Sequence, residues 1–238
     1  LNQLHFHLLL QLFYRLSKKP LMNYFKLTHS IKPQEIGCYP QSIKMAPGYN
    51  IEQEGSVYKV NFLTELPESI RLKYFELDKK AKATDLVSAV TLGWGLIISD
   101  RAWNVISEFR LGNSYQLLPL GFKRNEEYWN YNLYHNYSSN VEFLDFQNME
   151  FYDTNQVGAD PKSISINSIE DYMNYKTKIG REVNPKALKL IKPGLDLFSL
   201  KTVFALGYYA SERLVVKIKE AGLTGFSFKP VEELIFLR

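Results

Sequence analysis

Apolar and polar residues alternate with a period of two along several short stretches of this chain, and with a helical period along only a few. Residues 24–28 alternate in this way. So do residues 57–63, where Val57, Lys59 and Asn61 oppose Tyr58, Val60 and Phe62. Such alternation predicts half-buried strands. Residues 73–77, 115–120 and 125–134 read as further strands. Residues 141–146 and 149–153 read as a hairpin turning at Gln147 and Asn148. Runs 85–90 and 96–98 are apolar and β-branched, as buried strands are. Strands are also predicted over 186–191, 197–200, 202–206 and 225–229.

Helical spacing predicts a helix over 99–109. Ser99 is its N-cap, Asp100 sits favourably at the positive end of the helix dipole, and Trp103, Ile106 and Phe109 form the buried stripe. A second helix spans 211–221, capped by Ser211 and ended by Gly222, and residues 169–176 form a shorter one. Pro33, Gly37, Pro40, Pro47 and Gly48 make 31–50 a loop, and Gly158 with Pro161 does the same for 154–167. Short strands interrupted by a few short helices predict an α+β fold, mostly of antiparallel sheet.

Two stretches echo each other. Leu96–Arg101, a helix, and a strand reaching Pro119 match Tyr209–Leu214, a helix, and a strand from Gly225 to Pro230. Each places Ser-acid-Arg at a helix start. The unit is a strand, a capped helix and a strand, present twice, with Ser99 and Ser211 as caps rather than nucleophiles. Neither serine lies in a G-x-S-x-G elbow or near a histidine in the sequence.

The length of 238 residues suits one domain, expected over 22–238 and bilobed about the 154–167 loop. Residues 1–21 stand apart as a leader. They carry Arg15, Lys18 and Lys19 and no acid, which accounts for +3 of the net +4; either Met22 is the biological start, or Leu4, Leu8, Leu12 and Leu16 form the docking stripe of an amphipathic helix. The apolar run 8–14 is too short to span a bilayer, so no membrane partner is expected. The remainder is nearly neutral, which disfavours a phosphate-binding face and a nucleic-acid partner. One cysteine, Cys38, precludes an internal disulfide and fits the cytoplasm.

Little in the sequence points to catalysis. Gly93 and Gly95 lack the third glycine of a dinucleotide loop and serve a turn or a close backbone approach. The histidines His5, His7, His29 and His135 show no metal-ligand spacing, and no cofactor is expected. Glu142, Asp145, Glu150 and Asp153 could form an acid pair across the predicted hairpin, which keeps a hydrolase reading open. Residues 128–134 are rich in rings. These either stack nucleobases, pack one sheet on another, or anchor a protein partner, in which case Trp129, Tyr131 and Tyr134 are the candidates.

Residues 196–200, Val203-Phe204, Ser211-Glu212-Arg213-Leu214 and the run from Gly222 through Gly225 and Pro230 to Val231 resemble a bacterial family. So do Leu96-Ile97-Ile98-Ser99 and the apolar-Asp-aromatic segment around Asp145, residues 144–151. The family is the polymorphic-toxin immunity proteins typified by a myxobacterial member. The similarity covers about residues 70–234, and the run 205–209 is longer than the family's. The resemblance implies a binding protein without catalysis, which neutralises a cognate secreted toxin domain by direct complex formation.

Overall fold

The computed structural model describes residues 24–45, 47–59, 61–70, 72, 75–112, 114–153, 162–180, 183–186, 188–191, 194–202, 206–230 and 234–237. The expected leader 1–21, Met22 and most of the 154–167 loop lie outside these residues. Strands in chain order are β1 (Tyr24–His29), β2 (Ser42–Met45), β3 (Phe75–Leu77), β4 (Leu86–Val87), β5 (Leu96–Ile98), β6 (Tyr115–Arg124), β7 (Glu127–Asn136) and β8 (Phe151–Asp153). They continue with β9 (Lys162–Ile164), β10 (Val183–Pro185), β11 (Leu188–Ile191), β12 (Leu197–Lys201), β13 (Leu206–Ser211), β14 (Phe226–Pro230) and β15 (Leu234–Leu237). Helices are α1 (Pro33–Ile36), α2 (Asp100–Ile106), α3 (Ile169–Ile179) and α4 (Glu212–Glu220). The fold is α+β, as the strand-rich pattern predicts.

Two sheets organise the molecule. One has the order β12-β13-β1-β14, and the other β2-β3-β6-β7-β5-β4. Within the second, the run β4-β5-β7-β6 repeats the first sheet strand for strand. Ile98 of β5 faces Asn132 of β7, and Ala210 of β13 faces Phe25 of β1. Tyr115 then opposes Asn136 while Phe226 opposes His29, and Pro119 opposes Asn132 while Pro230 opposes Phe25. The echo therefore extends to register, with Pro119 and Pro230 at equivalent points. One strand comes from elsewhere in the chain. The position that β7 fills by following β6 is filled in the second half by β1, from before the first half.

Two buried aspartates join the halves. Asp85 precedes β4 and Asp196 precedes β12. Ser99 Oγ donates to Asp85 at 2.8 Å and accepts from the Ala102 amide at 3.1 Å. Ser211 Oγ donates to Asp196 at 2.6 Å and accepts from the Leu214 amide at 3.4 Å. Each carboxylate also reaches across. Asp85 accepts from the Thr224 amide after α4 at 2.8 Å, and Asp196 accepts from the Arg110 amide after α2 at 3.0 Å. When i contacts j and the equivalent of j contacts the equivalent of i, the relation is a two-fold. The halves are related by an approximate dyad.

Burial follows this arrangement. Between the sheets, Leu96, Ile98, Tyr134, Leu197, Tyr208 and Ala210 pack on Ala102 and Ile106 of α2 and Leu214 and Ile218 of α4. The outer face of each sheet has its own core. Phe75, Leu77, Ile97, Phe122, Tyr131 and Leu133 form one, where the six-stranded sheet closes by a bridge between Ser42 and Ala89. Buried Gln41 secures that closure, accepting from the Ser88 amide and donating to the Lys82 carbonyl. Beyond the other sheet, Tyr24, Phe198 and Tyr209 pack against Phe146, Phe151 and Tyr172.

Several predicted elements differ. Residues 57–59 and 62–64 form turns and bends rather than a strand. The Ser56 and Asn61 side chains accept from the Tyr58 and Leu63 amides, giving the backbone a local alternative to a ladder. Residues 141–148 form two 3-10 turns, Val141–Phe143 and Phe146–Asn148, rather than a hairpin arm. The 31–50 loop contains α1 and β2. The predicted helix at 99–109 ends at Ile106, whereas the one from 169 runs on to Ile179 under a Ser168 cap.

Two outcomes test this scaffold. Burial opposes ionisation of Asp196, but hydrogen bonds from Arg213, Ser211 and the Arg110 amide outweigh it and hold the carboxyl below its ordinary range. Its contribution is thus present above the unfolded pKa of about 4 and lost as pH falls through the lower folded value. Asp196→Ala is expected to cost about 3–5 kcal/mol at neutral pH, because it leaves Arg213 and buried donors unpaired. Urea denaturation at pH 7 and pH 3 would show that cost shrinking in acid. Gly225 has φ +86°, and a Cβ there would lie 2.1 Å from the Leu86 carbonyl oxygen. Gly225→Ala is expected to lose more than about 2 kcal/mol in the same assay.

Candidate functional site

The two equivalent hairpins, β4–β5 and β12–β13, bring their ends to a common groove of about 310 Å³. Val90 and Trp94 line it from one half, Lys201, Leu206 and Tyr208 from the other, and Phe62 from the turn at 62–64. By register, Val90 is the counterpart of Lys201, and Trp94 of Leu206. Counterparts meet only near the axis that relates them, so the groove lies on the dyad. Its rim is apolar and open: Val90 and Leu206 are each 63% exposed and Phe62 is 39% exposed. Gly95 lets the hairpin approach closely, since a Cβ there would meet Leu133 Cδ1 at 2.5 Å.

Beneath the rim the groups are neutral or sparsely charged. Trp94 lies edge-on to buried His135, with ring centroids 5.0 Å apart. His135 Nε2 is 3.0 Å from the Thr64 carbonyl, and burial pushes its pKa down to about 4. Lys201 is the charged residue lining the groove. Its Nζ donates to the Phe62 carbonyl at 2.9 Å and lies 5.8 Å from that ring's centre. Burial lowers its pKa to about 8, with no carboxylate offsetting the effect.

Burial withdraws two of the three candidate anchors on β7. Tyr131 is 6% exposed and Tyr134 fully buried, so neither offers its ring to a partner. Tyr131 donates to the Thr84 carbonyl at 2.8 Å and meets Phe122 edge-on in the closed-sheet core. Tyr134 packs among Trp103, Tyr115 and Tyr208 between the sheets. Trp129 is half-buried against the same core as Tyr131, with the Arg124 guanidinium 5.0 Å above its ring. Strand periodicity splits these rings between the two faces of the sheet, so they build no stacking platform. Tyr128, 54% exposed, is the ring of that stretch that faces out.

The remaining predicted residues serve the frame. Asp145 accepts from the Asn148 amide and side chain, capping the 3-10 turn Phe146–Asn148, and lies on no hairpin with a second acid. Glu150 accepts from the Tyr152 hydroxyl and pairs with Lys186 at 3.6 Å. Burial and neighbouring Asp78 raise the pKa of the Cys38 thiol, the opposite of what a nucleophile needs. Among the described residues, no three His, Cys, Asp or Glu side chains converge as a metal site, and no helix is long and apolar enough to cross a membrane. Pro230 and Gly225 hold the end and start of β14, and Ser99 and Ser211 are the caps described above.

What the sequence reading missed is Asp85 and Asp196. A signal for them exists: Asp85-Leu86-Val87-Ser88 and Asp196-Leu197-Phe198-Ser199 share the pattern Asp-Leu-x-Ser ahead of each serine cap.

Buried neutral His135 has a pH consequence. Its folded pKa lies below the unfolded value of about 6.5, so the unfolded chain binds the proton first. Stability is expected to fall by about 3 kcal/mol as pH drops from 6.5 to 4. His135→Gln should reduce the loss seen in urea-denaturation profiles across that window, leaving the part due to His29, whose pKa burial also lowers, and the acid loss due to Asp196 below it. Compared with known proteins, the chain matches no protein-family model, and no curated protein matches it.

Proposed function

We propose that this chain is an immunity-type binding protein, which neutralises a cognate bacterial toxin in the cytoplasm by forming a stoichiometric complex with it. The observation that carries this reading is the groove on the dyad. Exposed Phe62, Val90 and Leu206 surround it, the last two on hairpins of opposite halves and Phe62 on a turn. Large apolar side chains kept open around a concavity are what a protein interface uses as its anchoring centre.

The acidic groups described above support the same reading, since Asp85 and Asp196 join the halves, Asp145 caps a turn and Glu150 pairs on the surface. Inhibition would then come from shape and complementary charge rather than bond chemistry. The immunity-family resemblance of 196–200 and 211–231 supplies the toxin as partner. The structural use of those residues is consistent with it, because Asp196, Ser211 and Gly225 are scaffold positions.

Co-expression with the toxin domain encoded beside this protein tests the reading. The wild type is expected to restore growth and to co-purify with the toxin as a complex. Val90→Asp combined with Leu206→Asp is expected to weaken that complex by at least about 2 kcal/mol, with circular dichroism and thermal stability retained. Full lethality with no isolable complex would sink the proposal.

A further inference from the structure

The groove departs from the symmetry that creates it, and the departure is chemical. At one pair of equivalent positions the first half carries Val90 and the second Lys201; at another stand Trp94 and Leu206. An exact duplication would line the axis with matched side chains. Here a single ammonium shares a largely apolar lining with the hydroxyl side chains Thr91, Ser199 and Tyr208.

That ammonium is under-served. It donates to the Phe62 carbonyl, and the Phe62 ring lies beside it, but no acidic side chain of the described residues pairs with it. Arg124, also partly buried, has a carboxylate partner in Glu127 at 3.0 Å, and exposed Arg213 has one in Asp196. A cation held away from water without a counter-ion is costly unless something supplies one, and an apolar wall around it strengthens any anion that does.

Resting on the toxin-binding reading, we infer that the groove receives a partner segment in which a large apolar side chain adjoins an Asp or Glu. The apolar side chain enters between Trp94, Leu206 and Phe62, and the carboxylate meets Lys201 Nζ. The cavity stands at the small end of ligand sites, roughly 300–1,000 Å³, which suits one side chain and its neighbour rather than a domain edge.

The isolated chain can be tested with 4-phenylbutyrate, which carries a ring and a carboxylate, against the uncharged 4-phenylbutyramide. Binding is followed by NMR shifts of the Trp94 indole and the Lys201 side chain. At pH 7 the carboxylate is expected to bind at least tenfold more tightly than the amide. Lys201→Met should remove that preference, Lys201→Arg should largely keep it, and Leu206→Asp should abolish binding of both probes. Raising the pH to 10 should erase the preference as Lys201 loses its proton, its pKa in the free protein being about 8. The titratable groups facing it, His135 from β7 and Tyr208 from β13, stay neutral over that range, one lowered and the other raised by burial.

In a second arm, Lys201→Met should weaken the complex with the co-expressed toxin domain at least tenfold. Equal binding of the two probes, or a toxin complex indifferent to both Lys201→Met and Leu206→Asp, overturns the inference while leaving the binding reading intact. A probe preference with no toxin complex at all rejects a protein occupant, and with it the binding reading.

Discussion

Two buried carboxylates, Asp85 and Asp196, set the relation between the halves of this protein. Each meets the serine that caps its own helix and the backbone amide at which the other half's helix has ended. Their arginine neighbours follow the same plan with different ends. Arg213 pairs with Asp196, whereas Arg101 lies 3.7 Å from Asp85 and also donates to the carbonyls of Ala221 and Gly222 at the end of α4. A cation at a helix C-terminus meets carbonyls that have no partner within the helix. The cross-links are thus directional, and few arrangements of two sheets and two helices satisfy all of them together. The shared core between the sheets then packs against a geometry already restricted.

Duplication explains where a binding site could arise without disturbing that frame. Positions near the dyad are seen by both halves, and the ends of the two hairpins converge there. Divergence of the copies is tolerated at such tips, and it gives the groove its contrast of one cation against an apolar wall. Most other polar side chains with clear partners serve the frame. Gln41 closes the six-stranded sheet, Glu35 accepts from the Gly225 amide and the Ser30 hydroxyl, and Asn140 donates to the Ser199 carbonyl. Function, on this reading, is confined to what the scaffold leaves open.

The most instructive correction concerns β7. Its alternation of rings with asparagines and glutamates resembles a surface strand, and its rings resemble anchors. The strand in fact lies between two cores. Trp129, Tyr131 and Leu133 face the closed-sheet interior, while Tyr134 enters the layer shared by the halves. Polar content misleads here because on the second face Asn130 is exposed and Asn132 donates to Asp100 at the start of α2 at 2.6 Å. Residues 57–63 err in the other direction. Their alternation is real, but strand periodicity requires a partner strand, and Ser56 and Asn61 offer nearer acceptors.

The sequence by itself determined the class of fold, the two capped helices and the repeated unit. Those features depend on contacts within a few residues: serine Oγ to an amide three residues on, an acid in the first turn, apolar spacing along one face. It also disclosed that Ser99 and Ser211 are caps, and that Pro119 and Pro230 recur at one point of the unit. Only the tertiary structure decided that β1 completes the second half, that Asp85 and Asp196 join the halves, and that the groove lies where two hairpins meet. Those relations link residues more than a hundred positions apart, such as Asp85 with Thr224 or Val90 with Lys201. No local pattern records which distant strand will occupy a gap in a sheet. Hydrogen bonding and burial select it only once the whole chain has folded.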